Sequence, residues 1–290
     1  MPLAVAVVTL AALLAFTSAG EGGAAIVMFT LAAFVGAVVA QEFFRGARER
    51  RTMTGESPPI ALSRLVGRNR RRYGGYIVHV GIAVLFLGVA GSSSFNEQQD
   101  VRLQPGQTVT IKDYEVTYRE PTVAIEDDRS GTGAPLSFGA VLDVRKDDEH
   151  FVMRPARNYY PSQDSAMGPV GRFFGGEATS EVDLRWGLRQ DLWLAVQPDL
   201  RKLKGPIRRG NDLPDRFAGE AIVAVARHYL DNPPPAAFRA IVSPLVVWIW
   251  LGGGIVMAGA LLALWPTPEA RRRRVTSLYA ARLGRELSRA

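Results

Sequence analysis

Residues 69–93 read NRRRYGGYIVHVGIAVLFLGVAGSS, and this stretch decides the fold class. Three consecutive arginines end at Arg72, and Tyr73–Gly91 then runs for 19 positions without a charge. A membrane-spanning helix needs about 20 predominantly apolar residues. Working outward, three more apolar runs appear: Leu3–Thr17 (15 residues), Ala24–Ala40 (17) and Ile241–Leu264 (24). The first two flank a short loop containing Glu21 and are read as a helical hairpin over 1–40. Run 3–17 is also short enough for a signal-peptide core, but positions 1–5 carry no basic residue and Thr17–Ala19 is a poor cleavage site.

Charge sets the orientation. The net charge of +7 is concentrated: 41–72 holds nine Arg against three Glu, and 266–290 holds seven Arg against two Glu. The 92–240 stretch is mildly acidic. Basic charge confined to short blocks beside apolar runs argues against a nucleic-acid binder, which spreads it over a folded face. QEFFRGARERR (41–51), RLVGRNRRR (64–72) and RRRR (271–274) all lie close to helix ends, where the positive-inside rule has most force. The expected arrangement is a membrane protein with about four transmembrane helices: the hairpin 1–40, a cytoplasmic basic loop 41–72, a helix 73–91, an extracytoplasmic domain 92–240, a helix 241–265 and a cytoplasmic basic tail 266–290. Trp248, Trp250 and Trp265 fall where interfacial aromatics are expected.

The outer domain reads as an antiparallel β-barrel or sandwich. VRLQPGQTVTIKDYEVTYRE (101–120) alternates apolar and polar residues, with turns at Pro105–Gly106 and Lys112–Asp113. Further strands are expected at 138–145, 150–155, 181–188, 191–197 and 220–229, with long loops at 127–135 and 167–180. The 180–196 stretch, SEVDLRWGLRQDLWLAV, together with Tyr159–Tyr160–Pro161, is either a docking surface or a packed strand pair.

With no Cys there is no disulfide, thiolate nucleophile, Cys-ligated zinc or iron–sulfur cluster. Nor is there a phosphate-binding glycine loop, a Ser–His–Asp order or an HExxH motif. Of the three histidines, His79 lies seven residues past Arg72, about 10 Å into the hydrocarbon at 1.5 Å per residue. An ionisable side chain at that depth faces a partner or a cavity. Gly75, His79 and Ala83 recur every four residues, a small-residue groove where another helix or a flat cofactor can approach. A neutral imidazole there suits haem iron or copper; the plainer alternative is a hydrogen bond to a neighbouring helix. His150 and His228 fall in expected strands without ligand spacing and read as surface histidines.

EFFRGARERR (42–51), NRRRYGGYIVHVGIAVLFLGVAGSS (69–93), YYP (159–161), SEVDLRWGLRQDLWLAV (180–196) and PLVVWIWLGGGIVMAGALLAL (244–264) resemble, in one collinear order, the C-terminal part of the CcmF family. CcmF is the large membrane subunit of bacterial cytochrome c maturation. The resemblance implies a place in a haem lyase complex of the bacterial cytoplasmic membrane, with 92–240 periplasmic. Such a complex takes haem from the chaperone CcmE and joins it to the CxxCH thiols of apocytochrome c. It also implies a membrane haem b held by one His from each of two transmembrane helices, His79 supplying one. The Cys-free composition agrees, since the thiols belong to the substrate. The family's tryptophan-rich haem-handling segment, its two periplasmic histidines and the partner intramembrane His have no counterpart here; His150 and His228 do not match them. The chain is therefore expected to be a split C-terminal subunit or a fragment, working with the N-terminal half of CcmF, the thiol-handling subunit CcmH and membrane lipid. The rivals are a non-catalytic scaffold that docks the chaperone and apocytochrome, and a haem transporter subunit.

Overall fold

A computed structural model describes residues 1–16, 23–125 and 135–266. Glu21, residues 127–134 of the loop expected at 127–135 and the arginines 271–274 lie outside the described residues. The chain divides into a helical unit, Met1–Phe95 with the segment from Leu245 onward, and a second unit, Asn96–Pro244.

The helical unit contains α1 (Pro2–Phe16), α2 (Gly23–Thr54), α3 (Pro58–Arg68) and α4 (Arg70–Ser94), and is completed by α8 (Val246–Leu264). Among the described residues, α2, α4 and α8 are long and apolar enough to cross a membrane. The 15 residues of α1 reach only about 22 Å, short of a hydrocarbon layer of about 30 Å. The basic stretch expected as a loop is mostly helical. α2 continues through the arginines to Thr54, where Gly55 takes a left-handed φ of 67° and its N–H bonds the Arg51 carbonyl. Extended Ser57 and the pair Pro58–Pro59 then open α3, where proline's missing N–H costs nothing. Glu56 clamps this elbow by accepting from Arg50 (2.8 Å) and from Arg64.

α4 and α8 pack antiparallel through glycines. A Cβ on Gly74 would lie 2.7 Å from Ala263 N and Gly259 O, one on Gly81 2.6 Å from Val256 N, and one on Gly88 2.7 Å from Ile249 N. From the other side, a Cβ on Gly252 would lie 2.6 Å from Leu85 N and one on Gly259 2.7 Å from Val78 N. The spacing of seven on both helices keeps one face of each along the partner.

The second unit is two antiparallel sheets. One has the order β1 (Glu97–Leu103), β10 (Ala236–Pro244), β9 (Gln190–Gln197), β8 (Asp183–Arg185). The other has the order β2 (Thr108–Ile111), β3 (Tyr114–Ile125), β4 (Leu136–Lys146), β6 (Ala156–Tyr159), β7 (Ala178–Glu181), and β5 (Glu149–Met153) also pairs with β4. Leu103, Leu192, Leu194, Phe238 and Val242 of the first sheet share a core with Val116, Tyr118, Leu142 and Val144 of the second. The turns read from the sequence are present: Gly106 and Lys112 both take positive φ.

Helices interrupt the expected all-β pattern. Residues 220–229, expected as a strand, lie in α7 (Ala218–Asp231). Its buried Ala221, Ile222, Val225 and Tyr229 follow helical spacing, and they pack with Phe138, Tyr159 and Phe173 in a second cluster. The loop expected at 167–180 contains α5 (Gly171–Gly175) and β7, and α6 (Lys204–Asn211) precedes α7. Of 181–188 only Asp183–Arg185 forms strand β8, hairpinned to β9 with Leu184 opposite Trp193. The 180–196 segment is thus a strand pair whose tip leaves Trp186 and Leu188 exposed.

Two polar groups test this core. Tyr118 is fully buried against Phe238, its hydroxyl has no partner among the described residues, and burial pushes its pKa up to about 12. Removing an unpaired buried hydroxyl while keeping the ring relieves desolvation, so Tyr118→Phe should stabilise the chain by roughly 1 kcal/mol. A lowered thermal midpoint would refute that. Asp199 accepts from Arg201 Nε (2.9 Å), the Arg201 N–H (3.1 Å) and Arg102, and these bonds hold its carboxyl well below the usual range. Because the folded value is lowered, this stabilisation is present above about pH 4 and is lost as the pH falls through and below it. The gap in unfolding midpoint between the wild type and Asp199→Asn should be widest near neutrality and close in acid; a gap independent of pH would count against the pairing.

Candidate functional site

α4 is engaged on two faces. One is the glycine seam against α8. On another, aromatic rings meet α2: Phe43 lies 5.1 Å from Tyr73 and 6.2 Å from Tyr76, and farther along Phe29 lies 6.1 Å from Phe95. At the start of the helix Arg72 Nη2 donates to Glu42 Oε2 at 2.6 Å. The Tyr76 hydroxyl donates to the same oxygen at 3.1 Å and accepts from Arg72 Nε at 3.0 Å. This three-residue knot ties the charged ends of α2 and α4 together.

His79 lies on a face of α4 that neither contact covers, and its side chain is exposed. Its Nδ1 sits 2.7 Å from the Gly75 carbonyl oxygen. A carbonyl oxygen can only accept, so in the neutral ring Nδ1 carries the proton and Nε2 keeps its lone pair. That is the arrangement of a metal-ligating imidazole, one nitrogen oriented by a backbone acceptor and the other available. A Cβ on Gly75 would meet nothing within 4 Å, so the space on that side of the imidazole is open. Ala83, read with Gly75 as lying where another helix or a flat cofactor approaches, is buried, at 6% exposure. Gly75 and His79 therefore share an open face, and Ala83 does not extend it.

These residues fit one half of a haem site: a tautomer-fixed imidazole, a free Nε2 and a neighbouring position without a side chain. They do not make a complete one. The other two histidines are elsewhere, His150 exposed on β5 and His228 half-buried on α7. Among the described residues no group of three or more His, Cys, Asp or Glu is placed to hold a metal ion. Two features escaped the sequence reading: Glu42, and the complementary role of Gly252 and Gly259. The seven-residue spacing within 74/81/88 and 252/259 was the available signal for the latter; no local pattern marks Glu42 as the partner of Arg72.

Known proteins resemble this chain in sequence and in fold. No family model matches the chain. It is 27% identical over 240 residues to "Cytochrome c-type biogenesis protein CcmF" of Pseudomonas fluorescens, covering 83% of this chain and 28% of that protein. It is 26% identical over 203 residues to the protein of the same name in Escherichia coli (strain K12), covering 69% and 24% respectively. With "Probable cytochrome c-type biogenesis protein NrfE" of the same organism it shares 27% identity over 207 residues, 71% of this chain and 29% of the relative. The solved structure "Cytochrome c Heme Lyase CcmF" superposes with a TM-score of 0.55 at 19% identity, covering 91% of this chain and 34% of that one, which speaks for the fold. The chain is thus similar to CcmF in sequence and in fold, and spans less than a third of the length of these curated relatives.

The two adjacent glycines of α4 should behave oppositely. Gly74→Ala forces a methyl against the α8 backbone and should destabilise the chain by about 1–3 kcal/mol. Gly75→Ala enters open space and, with alanine's better helix propensity, should be neutral or slightly stabilising. Thermal melts of the two variants in one detergent check this; equal effects would contradict the seam.

Proposed function

We propose that this chain is the C-terminal part of a cytochrome c haem lyase complex in the bacterial cytoplasmic membrane, contributing His79 as one axial ligand of a haem b. The observation that carries this reading is the free Nε2 of His79 on the open face of a helix apolar enough to span a membrane. The similarity to CcmF and NrfE supports it.

Within this reading the Arg blocks keep 41–72 and the 266–290 tail cytoplasmic, and the β-rich unit faces the periplasm. Haem b, when bound, supplies one-electron redox chemistry. The chain's own residues orient and exclude. The Gly75 carbonyl holds the His79 ring and fixes its tautomer. The seam against α8 and the Glu42–Arg72–Tyr76 knot hold α4 rigid at the level of the ligand. The second imidazole comes from the N-terminal half of CcmF, because no other histidine lies in an apolar run of this chain. The β-rich unit helps to place the chaperone CcmE, the thiol-handling subunit CcmH or apocytochrome c, and thioether formation draws mainly on the proximity of haem and thiols.

The test is a visible absorption spectrum of the chain purified alone and co-expressed with a candidate N-terminal half. Sharp reduced bands of a low-spin b-type haem, present only in the pair and lost in His79→Ala while the two chains still co-purify, are the expected result. Undiminished haem in that variant would sink the ligand role and leave the chain as a scaffold.

A further inference from the structure

Where the apolar runs of α2 and α4 give way to charge, the two helices and α3 enclose a cavity of about 460 Å³. Its α2 wall is one helical stripe that includes Glu42, Arg45, Glu49 and Arg50, and its other walls include Arg68 and Arg72. Four guanidinium groups against two carboxylates leave the lining net positive. Two of the four are committed, Arg50 to Glu56 and Arg72 to Glu42. Arg45 and Arg68, from different helices, form no ion pair among the described residues. The floor is close-packed: a Cβ on Gly46 would lie 2.6 Å from the Tyr73 hydroxyl and 2.7 Å from Leu65 Cδ2. Met53 on its wall is 78% exposed.

We propose that this cavity binds the phosphodiester headgroup of an anionic phospholipid, Arg45 and Arg68 supplying the cations. Three observations converge. Glu42 follows the apolar run of α2, which ends at Ala40, by two residues, and Tyr73 begins the apolar run of α4, so the cavity lies at headgroup depth. Arginine's planar fork matches phosphate geometry, and two uncommitted forks from separate helices suit one shared anion. Exposed Met53 offers apolar surface beside the charge, as an acyl-bearing ligand requires and a free anion does not. A topology signal needs arginines near a helix end, but it does not need them gathered around a cavity.

Native mass spectrometry of the full chain in mild detergent, with phosphatidylglycerol or phosphatidylcholine added, tests the assignment. Phosphatidylglycerol should be retained over phosphatidylcholine, and Arg45→Gln with Arg68→Gln should weaken retention roughly tenfold or more. Arg48→Gln with Arg51→Gln removes the same charge from α2 outside the cavity and should leave retention nearly unchanged. Equal losses in the two double variants would overturn the site in favour of diffuse attraction. Displacement of the lipid by millimolar inorganic phosphate would overturn the lipid and leave a free-anion site. Haem content is a separate readout, so failure here and failure of the His79 assignment are distinguishable.

Discussion

The close backbone approach of α4 and α8 is the constraint on which the helical unit rests. Lipid tails are as apolar as leucine, so two helices in a membrane gain little from burying side chains against each other; contact depth decides instead. Gly74, Gly81 and Gly88 on one helix and Gly252 and Gly259 on the other remove every Cβ that would hold the backbones apart. The consequence for function is subtractive. One face of α4 is consumed by α8 and another by the Phe43 and Glu42 contacts of α2, which leaves the face of Gly75 and His79 free.

The same seam makes room for a large insertion. Between Phe95 and Leu245 the chain builds the entire β-rich unit, and each unit by itself brings its two crossing points together. In the helical unit a Cβ on Gly91 would lie 2.6 Å from Leu245 Cδ1. In the other, β1 and β10 pair from Glu97 opposite Val242 to Leu103 opposite Ala236. The insertion therefore asks neither unit to stretch. The cost is local: Leu245 takes a left-handed φ of 61°, unusual for a branched residue and tolerated only where surrounding contacts over-determine it.

What was legible in the sequence follows from the range of the physics involved. Apolar runs were legible because a bilayer demands them residue by residue, and strands β2 to β5 and β9 because alternation and turn residues are local. Helix α7 was misread because Ile222, Val223 and Val225 carry strand propensity while the helical spacing of Ala221, Val225 and Tyr229 becomes decisive only against the cluster around Phe138. Nothing in the apolar pattern shows how far a helix runs into the basic stretch 41–72, where α2 continues past the apolar run until Gly55 stops it. His79 stood out because a lone ionisable residue in an apolar run is rare. Its neighbours were harder to assign, since Gly75 and Ala83 share a spacing and not an environment: one faces open space, the other is buried.

The open face is itself an argument about what His79 requires. An imidazole has two polar nitrogens, and hydrocarbon offers neither a partner. The bond to the Gly75 carbonyl satisfies Nδ1 and, by holding the proton there, makes Nε2 an acceptor with nothing in α4 to meet it. A histidine serving only helix packing would turn that nitrogen toward a donor on α2 or α8, whereas among the described residues the Gly75 carbonyl is the one hydrogen-bond partner of His79. Among the described residues nothing donates to that lone pair.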